Sequence, residues 1–156
     1  MGIKGLSHVG VFVRDLETME RFYKEVVGLE ESHRQEGRAV FLSGDKQRED
    51  HEIVLFTGRE GEGKSIQQIS FRVDSIDDVL RYYQTFKKAG VTIDRTVSHG
   101  RGASCYFLDP EGNRLEVFAD IEVEGGRGYA GPLDLEKSAD ELITQIRSTR
   151  STAMAR

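Results

Sequence analysis

The sequence has no tryptophan and a single cysteine, and the shortage of cysteine limits what the protein can be. Without a second cysteine the chain cannot form an internal disulfide, which fits a reducing compartment and predicts a cytoplasmic protein. The one thiol, Cys105, lies in an apolar, strand-like segment. We therefore expect it to be buried and inert rather than nucleophilic.

An excess of basic residues is also missing. Lys and Arg number 22 against 27 Asp and Glu, which gives a formal net charge of −5. We expect no nucleic acid as a partner, because phosphate binding needs a basic face. With 37% hydrophobic and 31% charged residues, the composition predicts a soluble globular protein with a modest core.

Long apolar segments are absent too. No run approaches the roughly 18–20 residues that a membrane-spanning helix needs. The N-terminal sequence MGIKGLSH lacks the charged and apolar regions of a signal peptide. The sequence therefore predicts a protein that does not associate with a membrane.

What the chain does contain is an internal repeat with an offset of 60 residues. The segment HVGVFVRDLETMERFYKEVV from His8 aligns without a gap to QISFRVDSIDDVLRYYQTFK from Gln68. Each copy begins with the alternation of a strand and continues with the spacing of an amphipathic helix. Asp15 and the pair Ser75 and Asp78 are the expected N-terminal caps of the two helices.

Three short strands are predicted after each helix, so each copy is a βαβββ module. Their expected positions are 31–33, 38–42 and 52–56 in the first module and 92–95, 104–108 and 114–118 in the second. The sequence DPEGN at 109–113 indicates a tight turn between the last two strands.

These elements predict an α+β domain over residues 1–120. Module 1 spans about 5–57, a Gly-rich linker 58–65, and module 2 about 66–120. Residues 121–156 form a C-terminal extension with a glycine-rich loop, a short helix capped by Ser138 and Glu141, and a frayed end.

Strand alternation gives each sheet a partly polar face opposite its helix. His8, Gln68 and Glu116 lie on that face, and Val54 stands at the position equivalent to Glu116. Internal symmetry predicts that these four positions converge. Three of them carry groups able to bind a metal.

Three segments carry a resemblance to a known family: LSHVGVFVRDLETMERFYKEVVGL, IQQISFRVDSIDDV and YFLDPEGNRLEVF. They resemble the vicinal-oxygen-chelate superfamily, which contains glyoxalase I, fosfomycin and bleomycin resistance proteins, epimerases and extradiol dioxygenases. The resemblance covers residues 6–119. It implies two tandem βαβββ modules that form an open, cup-shaped, eight-stranded mixed sheet with the helices outside.

Within the superfamily the chain most resembles small ring-cleaving dioxygenases that act on biphenyl-diols or catechols. Such enzymes hold a divalent metal, Fe(II) or Mn(II), through two histidines and one glutamate. Zn, Ni or Co are further options. His8 matches the first histidine and Glu116 the glutamate. Gln68 stands where the second histidine is expected and is a weaker ligand.

The resemblance also implies catalytic roles for two further residues. His99, in the sequence SHGRG, matches the acid–base histidine with altered spacing. Tyr106 matches the tyrosine that hydrogen-bonds the oxygen species. Phe12, Arg72 and Phe118 are the expected substrate-pocket residues.

The remaining two histidines are weaker candidates. His51 stands two residues before Ile53, so strand alternation would place both side chains on the same face, opposite the candidate metal ligands. This predicts a position at a strand edge. His33 lies in a polar segment and is expected to be solvated. Neither pattern favours a role as a metal ligand.

The resulting hypothesis is a metal-dependent oxidoreductase of the extradiol dioxygenase type. Its substrate would be a small catechol-like or vicinal-oxygen compound. Because two-module chains of this family commonly pair, the resemblance also predicts a homodimer. Gln68 favours an alternative, a metal-free binding or resistance protein of the bleomycin-resistance type. A glyoxalase-like lyase or isomerase is a third option, because the fold alone does not choose among these activities.

Overall fold

The computed structural model describes residues 8–61, 63, 66, 68–123 and 131–154, with side chains as far as residue 149. The chain divides into two compact units, Met1–Gly63 and Lys64–Arg156, and each is described by itself. The division falls inside the predicted linker 58–65. Most of the glycine-rich loop predicted after residue 121 lies outside the described residues.

The N-terminal unit is one four-stranded sheet with a single helix. Its elements are β1 (Val9–Val13), α1 (Leu16–Glu25), β2 (Glu30–Gln35), β3 (Ala39–Ser43) and β4 (Ile53–Thr57). The strand order is β1-β4-β3-β2, with β1 parallel to β4 and the other pairs antiparallel. This is the predicted βαβββ module.

Helix α1 begins at the residue that the sequence predicts. The Asp15 carboxylate accepts hydrogen bonds from the Thr18 backbone N–H at 3.0 Å and from its hydroxyl at 2.6 Å. These bonds hold the pKa of Asp15 below its usual value. Gly28, with φ of 87°, turns the chain out of the helix towards β2. The helix buries Met19, Phe22 and Tyr23.

The C-terminal unit repeats the module and enlarges it. Its elements are β5 (Ile69–Arg72), α2 (Ile76–Lys88), β6 (Ile93–Ser98), β7 (Gly102–Leu108), β8 (Arg114–Asp120), β9 (Gly131–Pro132) and α3 (Ala139–Met154). The order is β5-β8-β7-β6-β9, with β5 parallel to β8. Strand β9 pairs with β6, so the extension adds a fifth strand that the sequence pattern did not predict.

Helix α3 belongs to the core of this unit. Its predicted capping box is present, since Ser138 N–H donates to Glu141 Oε2 at 2.9 Å and Glu141 N–H to Ser138 Oγ at 3.4 Å. The helix contacts α2 and β7 and buries Leu142 and Ile146. It continues to Met154, past the point where the sequence predicts fraying.

Strands β7 and β8 are joined by the predicted DPEGN turn. The Asp109 carboxylate accepts from the Asn113 backbone N–H at 2.8 Å and from its side-chain amide at 2.7 Å. At the other end of the hairpin Gly102 is required, because a Cβ there would lie 2.0 Å from the Ala119 carbonyl oxygen. Both features fix the register in which Tyr106 pairs with Glu116.

The α+β class and the two βαβββ modules are thus confirmed. The joining of the two sheets into one cup involves both units and stays a prediction. Among the helices described, none has the length and apolar character that crossing a membrane requires.

The packing of α2 on β7 gives a stability prediction. The Phe86 and Phe107 rings are fully buried, with centroids 4.0 Å apart. Phe86→Ala would leave a cavity and should lower the free energy of unfolding by about 3–5 kcal/mol. Urea unfolding measures this change. Phe12→Ala is the control, since the Phe12 side chain is 60% exposed and should change stability little. Equal losses in both variants would contradict the proposed core.

Candidate functional site

The candidate site lies on the face of the C-terminal sheet opposite α2. Leu115, Val117 and Ala119 of β8 are buried on the helix side, and alternation places Glu116 and Phe118 on the other side. Neighbouring strands add polar residues to the same face. These are Gln68, Ser70 and Arg72 along β5, Tyr106 on β7 and Arg95 on β6.

Glu116 is at the centre of this face and is only 5% exposed. Its Oε2 accepts hydrogen bonds from Ser70 Oγ at 2.5 Å and from Gln68 Nε2 at 3.2 Å. Gln68 Nε2 also donates to Ser70 Oγ at 2.9 Å. A buried carboxylate needs such donors, because its charge has lost water. The predicted proximity of Gln68 and Glu116 is therefore present.

Tyr106 stands opposite Glu116 in the β7–β8 pairing. Burial, and after it the neighbouring Glu116 carboxylate, raises the pKa of Tyr106 to about 12. The hydroxyl is thus protonated at neutral pH. Arg95 lies over the ring, with its guanidinium carbon 4.6 Å from the centroid.

His99 lies in the loop between β6 and β7, with its Nε2 2.8 Å from the Tyr106 hydroxyl. The tautomer of His99 determines which of the two groups donates in this bond. An exposed imidazole is thus hydrogen-bonded to a phenol whose register partner is the buried Glu116. Such a pair can exchange a proton between solvent and the site.

Arg72, a predicted pocket residue, forms one side of the same face. Its guanidinium carbon lies 4.5 Å from the centroid of the Phe118 ring, and its Nη1 is 2.8 Å from Asp120 Oδ2. Arg101 Nε lies 3.3 Å from the other oxygen of Asp120. Two guanidinium groups thus share one carboxylate.

The N-terminal unit brings its histidines together. His8 directly precedes β1, and its ring centroid is 4.4 Å from that of His51. His51 Nδ1 is 2.7 Å from Asp50 Oδ2, and this hydrogen bond lowers the pKa of Asp50. His33 stacks on Phe41 with centroids 3.9 Å apart.

The contact between His8 and His51 is one that sequence reasoning missed. Strand alternation predicted that His51 shares the face of Ile53, opposite the face of His8. His51 instead precedes β4 in a loop, where strand alternation does not set the direction of a side chain. The adjacent Asp50 was the signal in the sequence that could have indicated this position of His51, because an aspartate can orient a neighbouring imidazole.

The strand pairing inside each unit agrees with the internal symmetry predicted between the two modules. Gly10 pairs with Val54 in the first module as Ser70 pairs with Glu116 in the second, so Val54 and Glu116 are equivalent. The predicted metal ligands His8, Gln68 and Glu116 belong to both units, and so do the pocket residues Phe12 and Phe118. Their convergence stays a prediction.

The donor set of the C-terminal unit determines which metal it could hold. Within the described residues, no group of three or more His, Cys, Asp or Glu side chains is arranged to hold a metal ion. Glu116 and Gln68 nevertheless offer a carboxylate and an amide in mutual contact. These oxygen donors fit a hard divalent cation such as Mn(II), provided that the amide turns to present its oxygen.

Comparison with known proteins establishes the family. The model of the Glyoxalase/Bleomycin resistance protein/Dioxygenase superfamily matches residues 5–117. The chain belongs to this superfamily.

Relatives within it differ in activity. The chain is 31% identical to the fosfomycin resistance protein FosX of Listeria monocytogenes, over 81% of this chain and 98% of that protein. It is 28% identical to a manganese-dependent 2,3-dihydroxybiphenyl 1,2-dioxygenase of Geobacillus genomosp. 3, over 77% of this chain and 38% of that enzyme.

A solved structure supports the fold. FosX from Mesorhizobium loti is 28% identical, with a TM-score of 0.60 over 77% of this chain and 95% of its own. The relatives thus include a dioxygenase and resistance proteins, and they do not single out the ring-cleaving type.

The contact of Tyr106 with Glu116 predicts a titration effect. Glu116→Gln removes the negative charge that disfavours the phenolate, so the pKa of Tyr106 should fall from about 12 towards its ordinary value of 10.0. NMR of protein labelled at the tyrosine Cζ measures this pKa, and Tyr106→Phe identifies the resonance. An unchanged value in Glu116→Gln would mean that burial alone raises it.

Proposed function

We propose that the protein is a metal-dependent enzyme of the extradiol dioxygenase type, acting on a small substrate with two adjacent oxygens. The observation that carries this proposal is the hydrogen bond between His99 and Tyr106, which stands opposite Glu116. It brings an imidazole and a phenol, two groups able to transfer protons, next to a carboxylate able to bind a metal.

In this proposal Glu116 and Gln68 hold the metal, Mn(II) or Fe(II), on the C-terminal sheet. When bound, the metal would supply Lewis acidity to the substrate oxygens and a place for dioxygen. The manganese-dependent relative supports this choice of metal. Ser70 keeps the Glu116 side chain in place through its hydrogen bond.

Proton movement is assigned to His99 and Tyr106. A catechol must lose a hydroxyl proton when it binds through both oxygens, and a proton must return when the ring opens. Histidine suits both steps because its ordinary pKa lies near neutrality. Tyr106, protonated at neutral pH, would donate a hydrogen bond to a reacting oxygen.

Substrate contact is assigned to Phe118 and Arg72. The Phe118 ring offers an apolar surface for a substrate ring, and Arg72 already stacks on it.

A second candidate function has an observation in its favour. Gln68 presents its amide nitrogen to Glu116, so the two residues satisfy each other without a metal. A binding or resistance protein that works without a metal would account for this contact. The FosX relatives do not favour a metal-free protein, because a structure of FosX from Listeria monocytogenes contains Mn(II).

The metal test separates the two candidates. Protein prepared without chelators should contain a divalent metal, and Glu116→Ala should lose it, because the one charged donor is gone. Elemental analysis measures the content, and oxygen uptake with a panel of catechols measures activity. Glu122→Ala, an exposed carboxylate in the same unit, is the matched control and should keep the metal.

Wild-type protein without metal or oxygen uptake would refute the dioxygenase proposal. Binding of fosfomycin or bleomycin by that metal-free protein, measured by calorimetry, would then support the second candidate.

The role of His99 gives a kinetic prediction. General acid–base groups contribute about 10²–10⁴ in rate. His99→Ala should therefore lower kcat by that order, while metal content stays at the wild-type level because His99 is not a ligand. Steady-state kinetics and elemental analysis on the same sample measure both quantities.

His33→Ala is the matched control for that experiment. It removes another exposed histidine, one that stacks on Phe41 in the other unit, so kcat should not change. If His99→Ala turns over as fast as wild type, the proton must move through another group, and the assignment is wrong.

A further inference from the structure

Ser70 lies at the centre of the site and contacts both proposed metal ligands, Glu116 and Gln68. It is the register partner of Glu116 across the β5–β8 pair, and its hydroxyl is 2.5 Å from Glu116 Oε2. The residue is exposed on the open face of the strand, whereas Glu116 is buried. A polar side chain in this position affects the carboxylate more than it affects the core.

The hydrogen bonds at Oε2 use its full capacity. An ionised carboxylate has about four lone-pair sites, two on each oxygen. Ser70 Oγ and Gln68 Nε2 both donate to Oε2. A cation that binds Glu116 must therefore use Oε1, or one of the two donors must move away.

Ser70 also sets the orientation of Gln68. The amide nitrogen donates to Ser70 Oγ at 2.9 Å as well as to Glu116. These two acceptors hold the nitrogen towards the carboxylate and the carbonyl oxygen away from it. A metal needs the opposite orientation, since the carbonyl oxygen is the ligand.

We propose that Ser70 is a positioning residue that restricts Glu116 to binding through one oxygen and keeps the Gln68 amide turned away, and so weakens the hold of the site on a divalent cation. The inference rests on the proposed function insofar as the ligand is a divalent metal. It makes Ser70 the residue that sets metal affinity without itself being a strong ligand.

The test is a titration of metal-stripped protein with Mn(II), in which electron paramagnetic resonance measures the concentration of the free ion. Ser70→Ala frees Oε2 and lets the amide turn, so its Kd should fall by up to about tenfold, equivalent to about 1.4 kcal/mol. Hydrogen bonds to charged groups are of that order.

Two variants separate the hydroxyl from shape and folding. Ser70→Thr keeps the hydroxyl on a strand that accepts β-branched residues, and should bind Mn(II) like wild type. Ser104→Ala makes the same substitution on β7, where the register partner is Phe118 rather than Glu116, and should also match wild type. A gain in all three variants would show a general loosening and overturn the proposal.

The outcomes for the two proposals differ. If Ser70→Ala binds Mn(II) no more tightly than wild type, Ser70 does not restrict the site, even when the enzyme is an active dioxygenase. If Ser70→Ala gains affinity but no catechol supports oxygen uptake, the role of Ser70 stands and the dioxygenase proposal fails. Absence of Mn(II) binding in every variant overturns both.

Discussion

The antiparallel pairing of β7 with β8 is the constraint on which the candidate site depends. The turn at Asp109 holds one end of the hairpin, and at the other end Gly102 allows the backbone of β8 to approach. Side chains on paired strands face each other in fixed register, so this hairpin sets Tyr106 against Glu116. A slip of one residue would send Glu116 into the aliphatic layer under α2.

Burial of Glu116 then determines the rest of the polar network. A charged carboxylate that is 5% exposed is stable only with donors around it. Ser70 and Gln68 supply them, and Tyr106, the register partner of Glu116, is hydrogen-bonded to His99. The residues proposed to move protons therefore adjoin the ones that stabilise the buried charge.

The two modules show how one fold carries two kinds of surface. Gly10 and Val54 occupy the positions of Ser70 and Glu116, so the N-terminal module has no carboxylate network at this point. Its open face carries Phe41 and Phe56 beside the histidines. The strand order and pairing are the same in both modules, because the aliphatic faces that pack on the helices are the same. The buried pair Val54 and Glu116 shows that the opposite faces have diverged in polarity.

Local patterns in the sequence were enough to predict the modules. The alternation of Val9, Val11 and Val13, the cap at Asp15 and the turn at 109–113 each act over a few residues, and periodicity reports them directly. Glu116 and Tyr106, which the resemblance singled out, are register partners on β8 and β7, and their roles stay predictions.

Contacts between distant segments were decided by tertiary structure. The pairing of β9 with β6 joins residues more than thirty positions apart, and no local pattern records it. The side chain of His51 is directed by a loop, and Ser70 gains its position through β5–β8 pairing with a residue 46 positions away. Sequence periodicity fixes which face a strand residue occupies, but the partner on that face depends on which strands lie side by side.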